Sequence, residues 1–239
     1  MTLTEDALFD AVEATWPAAA YHRHGPCLLR EGRGGGKRVS SISVEAGWTR
    51  DDIAEAERAS AELGQDRLFQ LRPHQTDLDA ELSARGYDII DPVDLMAGPV
   101  SALTADLGRL DTLPSWPPLA VQSEIWAGGG IGPARLAVMD RAGGPKTALL
   151  GRHNDHPVAT AFIACHGSIA MLHALEVVPE ARRQGIARVM MRGAANWAAR
   201  HGAQDLAVLV VKTNQPAQNL YKSLGMSPVG HYFYRINRG

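Results

Sequence analysis

Cysteine is scarce in this sequence, with only Cys27 and Cys165 among 239 residues. Neither has a second thiol nearby, which excludes a disulfide scaffold and leaves no spacing typical of a zinc site. An excess of either charge is also missing, because 24 Lys and Arg oppose 26 Asp and Glu for a formal net charge of -2. This balance argues against a nucleic-acid-binding surface. The few thiols predict a reducing, cytoplasmic location.

Long apolar runs are missing as well. No stretch approaches the roughly 20 apolar residues of a membrane-spanning helix, so we expect no membrane partner. The first residues carry Glu5, Asp6 and Asp10, where a secretory signal needs a basic patch followed by an apolar run. With 45% hydrophobic residues the chain can still bury a core.

Proline and glycine concentrate between residues 97 and 118, where the hydrophobic periodicity stops. We therefore predict a first half over residues 1–100, a connector over 101–118 and a second half over 119–239. In the first half, the glycines of residues 32–36 predict the turn of a β-hairpin between strands at 26–30 and 37–44. They do not fit a P-loop, because Glu31 and Arg38 stand where that motif needs Gly and Ser or Thr.

The second half alternates between strand and helix patterns. Residues 121–126 are predicted as a strand or loop and 131–141 as a helix. Strands follow at 146–151, 157–166 and 168–178, then a helix at 184–201 with one apolar stripe. A continuous apolar strand at 206–211, a short helix at 216–224 and a strand at 229–236 complete an α/β unit with a mixed sheet.

The turn that opens the long helix carries the most chemical information. After Pro179, the sequence reads Arg182-Arg183-Gln184-Gly185-Ile186-Ala187-Arg188. A Gly and a small residue in the first turn of a helix leave backbone N–H groups open to an anion, and the helix dipole and the arginines add positive charge. The alternative is a basic helix start whose Gly serves close packing alone.

A second motif makes the pattern specific. The first motif is a strand that ends at Pro179, followed by Arg182, Gly185 and Ala187. The second motif consists of Asn214, Ala217, Leu220, Tyr221, Leu224, Gly225 and Met226. In this order and spacing the two motifs resemble those of the GNAT superfamily of acyl-CoA-dependent N-acyltransferases. The likeness covers residues 121–236 and implies that family's fold, a mixed and mostly antiparallel sheet with two splayed parallel strands flanked by helices.

The resemblance also implies roles for individual residues. The backbone of Leu175, Val177 and Val178 is expected to bind the pantetheine arm of acetyl-CoA, and the amides of Arg183, Gln184, Gly185, Ile186 and Ala187 its pyrophosphate, with charge from Arg182, Arg183 and Arg188. Asn214 and Ala217 are expected to reach the cofactor from the other side of the split. Trp126 is a candidate wall of the acceptor pocket.

The reaction needs an acid and a base. Tyr221 resembles the residue that protonates the departing thiolate; the alternative is a tyrosine that only packs the short helix. Several family members carry a Glu on the strand before Asn214, but residues 206–211 contain no carboxylate. Glu176 is the candidate base, with a water relay as the alternative. His173 lies three residues earlier, and strand alternation predicts that the two face opposite sides of the sheet.

The first half ends like the second. Leu78 and Leu82 followed by Gly86 resemble the pattern of Leu220, Leu224 and Gly225, and aligning Gly86 with Gly225 implies a duplication at a spacing of about 139 residues. The first copy lacks the Arg-x-x-Gly-x-Ala turn, so we interpret it as a degenerate, cofactor-free GNAT-like half. The alternative is an unrelated α/β cap.

Together the motifs predict an acetyl-CoA-dependent N-acetyltransferase acting on a primary amine whose identity the sequence leaves open. The competing hypothesis is a catalytically silent acyl-CoA-binding sensor, because the carboxylate before Asn214 is missing. Monomer and dimer both remain open, and no metal is expected.

Overall fold

The computed structural model describes residues 3–108 and 111–238. The first half contains α1 (Glu5–Thr15), β1 (Ala20–His24), β2 (Cys27–Glu31), β3 (Ile42–Val44), α2 (Arg50–Glu62), β4 (Arg67–Leu71), α3 (Thr76–Ala84) and β5 (Asp88–Pro99). After the short α4 (Val100–Leu103), the second half contains β6 (Thr112–Ser115), α5 (Ala120–Gly128), α6 (Pro133–Arg141), β7 (Lys146–His153), β8 (His156–His166), β9 (Ile169–Val177), α7 (Ile186–Arg200), β10 (Asp205–Val211), α8 (Gln215–Ser223) and β11 (Ser227–Asn237).

All of these strands lie in one sheet. Its order is β1-β2-β3-β4-β11-β5-β10-β9-β8-β7-β6. The pairs β3–β4 and β9–β10 are parallel, and the other neighbours are antiparallel. The predicted class, an α/β fold with a mixed and mostly antiparallel sheet flanked by helices, is confirmed.

The two halves exchange their last strands. β11 lies between β4 and β5 of the first half, and β5 pairs with β10 of the second half. The central order β3-β4-β11-β5-β10-β9 is therefore the same from either end if the halves are interchanged. Helices α3 and α8 start and end 139 residues apart, as do the glycines that follow them, Gly86 and Gly225, both left-handed. The predicted duplication therefore has a matching structural repeat.

Helices cover both faces of the sheet. α7 lies on one face, where Met190, Ala194 and Trp197 pack against strand residues including Leu172 and Val208. α1 lies on the opposite face, and although it opens the chain, it packs on β8 and β9 of the second half. The halves thus share a core as well as a sheet.

Three local predictions are wrong. Residues 121–126 belong to α5, because the side chain of Gln122 accepts a hydrogen bond from the Leu119 amide and caps a helical turn. The predicted connector, 101–118, contains the end of α4 and all of β6, which pairs with β7. The predicted strand at 37–44 is a 3₁₀ turn over Lys37–Val39 followed by the three residues of β3. Within the described ranges, no helix has both the length and the apolar character needed to cross a bilayer.

Candidate active site

A gap opens in the sheet where β9 and β10 diverge. The two strands pair from Ile169 with Asp205 to Leu172 with Val208. Beyond this point they no longer pair with each other, although β9 stays paired with β8 and β10 with β5. We call this gap the split. It exposes backbone groups of β9 on the side that a neighbouring strand would otherwise cover.

The backbone of β9 divides between β8 and the split. Val178 donates its N–H to the Val158 carbonyl at 2.9 Å, on the β8 side. Because backbone groups alternate in an antiparallel pair, those of Leu175 and Val177 point toward the split. The expectation for Leu175 and Val177 thus has a geometric basis, whereas the Val178 amide is already bonded to β8.

The start of α7 is open. Arg183 and Gly185 have φ values of 63° and 82°, a left-handed turn that Gly185 adopts without strain. No side chain caps the helix, and no described residue accepts a hydrogen bond from the amides of residues 183–187. A Cβ built on Gly185 would meet nothing within 4 Å. We call these five amides the cradle; they face solvent beside the split and fit an anionic group.

Three side chains around the cradle have protein partners. Arg182 donates from Nη2 to Glu176 at 3.0 Å and from Nε to the Val177 carbonyl at 3.0 Å. Arg188 donates to Ser223 at 2.7 Å, and Gln184 to the Glu180 carbonyl. Ile186 is buried and anchors the turn in the core, so only its amide is available to a ligand.

A β-bulge in β9 changes which side chains share a face. Ala174 has a φ of 52°, and the β8–β9 register shifts between Thr160 and Phe162. The indole N–H of Trp126 donates to the Ala174 carbonyl at 2.7 Å and stabilises the bulge. The extra residue reverses the alternation beyond it, so His173 and Glu176 both lie on the face covered by α1 and α5. The prediction of opposite faces is therefore wrong.

Glu176 lies against the end of α5. Its side chain is 20% exposed and forms the ion pair with Arg182. A Cβ on Gly129 would come within 2.5 Å of the Glu176 carboxyl carbon, so only glycine allows this approach. The carboxylate is held near the bulge, with a cation as its partner.

His173 is fully engaged in hydrogen bonds. Thr15 donates its hydroxyl to the Ala11 carbonyl at 2.6 Å, so its oxygen must accept from His173 Nε2–H at 2.9 Å. The other ring nitrogen, Nδ1, accepts from Arg38 at 3.2 Å. Burial and the neighbouring Arg38 charge hold the pKa of His173 well below its usual value. A neutral ring with both nitrogens occupied is a structural link between the halves, not a free base.

Tyr221 lies on α8, packed into the α7 side of the core, and is 7% exposed. Burial raises its pKa to about 12, so the phenol keeps its proton at neutral pH. Its hydroxyl has no hydrogen-bond partner among the described residues. Asn214, directly after β10, caps α8 by accepting from the Ala217 amide at 3.2 Å. Trp126, the expected pocket wall, is completely buried and supports the bulge instead.

A cavity of about 480 Å³ lies between the halves, with Ala174 of the bulge in its lining. The sequence did not predict this cavity. Its lining comes from distant parts of the chain and includes Trp16, Arg38, Arg135, His173, Ala174, Tyr232 and Tyr234. No local motif joins these positions, because strand exchange and the packing of α1 bring them together. Among the described residues, no group of three or more His, Cys, Asp or Glu side chains could hold a metal ion.

Comparison with known proteins agrees with this geometry. The chain is 27% identical to YobR of Bacillus subtilis (strain 168), an uncharacterized N-acetyltransferase, over 94% of this chain and 95% of the relative. A GCN5-related N-acetyltransferase from Kribbella flavida has a similar structure, with a TM-score of 0.72 and 18% identity over 100% of this chain and 97% of that one.

A tandem GNAT protein from the clavulanic acid biosynthesis pathway is also similar in structure. Its TM-score is 0.63 at 12% identity, covering 82% of this chain and 74% of that protein. Residues 113–226 match the sequence profile of the Acetyltransferase (GNAT) family, from β6 to the end of the second motif. This segment is therefore similar to the GNAT family of acetyltransferases, and its relatives agree with an acyltransferase.

Proposed function

We propose that this protein transfers an acetyl group from acetyl-CoA, the co-substrate of its family, to a primary amine by direct attack. The observation that carries the proposal is the open cradle at the start of α7, beside the split. An uncapped helix start with Arg182, Arg183 and Arg188 nearby suits a pyrophosphate in charge and in hydrogen-bond donors.

The remaining binding residues follow from the split. The backbone of Leu175 and the Val177 amide suit an extended arm, as an added strand would use them, whereas the Val177 carbonyl already accepts from Arg182. Val178 continues the strand with its amide bonded to β8, and Asn214 and Ala217 are proposed to contact the cofactor from the start of α8. Acetyl-CoA supplies the activated acyl group when bound, and the chain's own residues orient it and control the protons.

Tyr221 is the proposed general acid. Its raised pKa means that the phenol is protonated throughout the neutral range and can donate to a departing thiolate. Glu176 or a water relay is the proposed route by which the amine loses its proton. The bulge favours Glu176, because it brings this side chain to the same face as His173, which lines the cavity. Binding of the pyrophosphate would draw Arg182 away from the Glu176 carboxylate.

A catalytically silent acyl-CoA sensor is the second candidate. Residues 206–211 of β10 carry no carboxylate, and Glu176 is held by Arg182. A sensor would bind acetyl-CoA and release no thiol.

Purified protein incubated with acetyl-CoA and a broad amine panel tests the two candidates. We expect free thiol to appear with at least one amine, together with a product whose mass is increased by one acetyl group. Calorimetric binding of acetyl-CoA with no thiol release across the panel would reject the enzyme and favour the sensor. Failure to bind acetyl-CoA would reject both.

A further inference from the structure

The cavity between the halves carries an excess of positive charge. Lys37, Arg38 and Arg135 line it, and the carboxylate in its lining is that of Asp91. Asp91 forms an ion pair with Lys37, so their charges offset each other. The guanidinium groups of Arg38 and Arg135 remain, and no described carboxylate pairs with either of them.

Arg38 is held in place while part of its guanidinium lacks an acceptor. Nη1 donates to His173 Nδ1, and the group lies 5.6 Å from the Trp16 ring centroid. Nε is buried without a hydrogen-bond partner, and Nη2 has no acceptor among the described residues. An unsatisfied buried donor is destabilising, and an anionic ligand that draws the guanidinium toward itself would satisfy it.

Arg135 completes the pair from the other half of the molecule. It lies in the first turn of α6, its side chain is exposed, and it packs over Gly36, where a Cβ would be 3.5 Å from Nε. The glycine-rich loop that resembles a hairpin turn in sequence thus seats this arginine at the cavity. Two guanidinium groups, one from each half, suit a planar carboxylate, which accepts paired N–H donors.

We propose that the acceptor is a small amine that also carries a carboxylate, bound in this cavity through Arg38 and Arg135. The inference rests on the proposed function and adds the substrate class. His173 and Ala174 line the same cavity, so an acceptor whose carboxylate is held at the arginines lies beside the bulge of β9, where the split begins. A volume of about 480 Å³ fits a metabolite-sized acceptor.

Matched acceptors test the proposal. Thiol release is measured for α- and ω-amino acids, each against its own carboxamide, and for phosphoethanolamine against ethanolamine. We expect kcat/KM to be at least about tenfold higher for the best acid than for its carboxamide. For α-amino acids the carboxamide has the less basic amine, which works against this expectation and makes a positive result stronger.

Variants of the two arginines assign the effect. We expect Arg135→Gln to raise KM about tenfold for the preferred acid, with kcat and the carboxamide kinetics unchanged. Arg38→Gln is also expected to raise KM for the preferred acid. Because Arg38 contacts His173, thermal unfolding of this variant is measured as well. Arg33→Gln is the control, since Arg33 lies in the same loop, is exposed and does not line the cavity.

Equal turnover of acids and carboxamides would overturn the proposal while leaving the acetyltransferase intact. A preference for phosphoethanolamine over ethanolamine, without any preference among the carboxylate pairs, would overturn the carboxylate assignment. If no amine is acetylated, the proposed function fails separately. Calorimetry with the acids and carboxamides then decides the inference, because tighter binding of the acids that is lost in Arg135→Gln supports it and equal binding overturns it.

Discussion

Helix α2 in the first half and helix α7 in the second half begin in opposite ways. In the first half, Thr49 caps α2 by accepting from the Asp52 amide, and the Asp52 carboxylate accepts from the Thr49 amide. In the second half, α7 begins at Gly185 with no cap at all. The chain's own carboxylate therefore occupies the first helix start, while the second remains available for a foreign anion.

The gaps between the parallel strands differ in the same sense. The side chain of Gln75 donates to the Val44 carbonyl at 2.8 Å and accepts from the Arg72 amide at 2.9 Å, so it ties the ends of β3 and β4 together. Asn214, 139 residues later, caps its own helix instead and leaves the split open. Leu82 similarly stands where the second half has Tyr221. The two halves share a framework, and the open helix start, the split and the buried phenol occur in the second half.

The largest expected effect comes from closing the cradle. Gly185→Glu places a carboxylate among the open amides and should weaken acetyl-CoA binding by at least about 100-fold, because like charges then meet at the pyrophosphate. Calorimetry measures the affinity. Gly47→Glu is the matched control, since Gly47 precedes α2 with a φ of 84° against 82° at Gly185, and neither has an atom within 4 Å of a built Cβ. Weakened binding in both variants would contradict the difference between the halves.

Removing the phenol of the second half should slow turnover and spare binding. We expect Tyr221→Phe to lower kcat about 100-fold, because general acid catalysis typically contributes that much, with acetyl-CoA affinity unchanged. Tyr221→Leu, which copies Leu82 of the first half, should be at least as slow. Tyr21→Phe is the control, because it removes the same hydroxyl from an exposed tyrosine of the first half. An unchanged kcat in Tyr221→Phe would remove Tyr221 from the mechanism.

Acid should weaken the contact between the halves at His173. The folded protein holds this ring neutral, whereas the unfolded chain takes up a proton near pH 6.5. The free energy of unfolding is therefore unaffected by this group above pH 6.5 and falls below it by up to about 1.4 kcal/mol per pH unit. Urea unfolding at pH 7.5, 6 and 5 measures the slope. His173→Gln keeps one donor and one acceptor and should flatten it; equal slopes in both proteins would contradict the assignment.

The smallest effect is expected at the capped helix. Thr49→Ala removes the side-chain acceptor and should lower the free energy of unfolding by about 1 kcal/mol, without changing the affinity for acetyl-CoA. Urea unfolding and calorimetric stoichiometry are measured together. One binding site should remain, because Gln75 still bridges β3 and β4. A second equivalent of bound acetyl-CoA would mean that the cap alone had excluded it.

The parts of the site that sequence reasoning located are local in the chain. Arg182, Gly185 and Ala187 lie within six residues of one turn, and Asn214 caps the short helix that carries Tyr221, so spacing alone relates them. The bulge at Ala174 could not be predicted, because alanine disfavours a φ of 52° and the Trp126 hydrogen bond stabilises it from another element. Because the bulge decides on which face of the sheet Glu176 lies, that face could not be predicted either.

The arrangement of the sheet was predictable only in outline. Alternating strand and helix patterns indicated a mixed sheet, and the Gly86 and Gly225 pair indicated the repeat. Nothing local distinguishes a last strand that returns to its own half from one that crosses to the other. The cavity lined by Arg38 and Arg135 depends on that crossing, and it therefore appears only in the folded protein.

The crossing of β11 also dictates an order of events during synthesis. The first half emerges from the ribosome with β4 and β5 lacking the strand that belongs between them, because β11 follows every other strand in the chain. Until β11 has been made, both strands keep unpaired edges, which are prone to wrong pairing. A chain that stops before Ser227 should therefore aggregate.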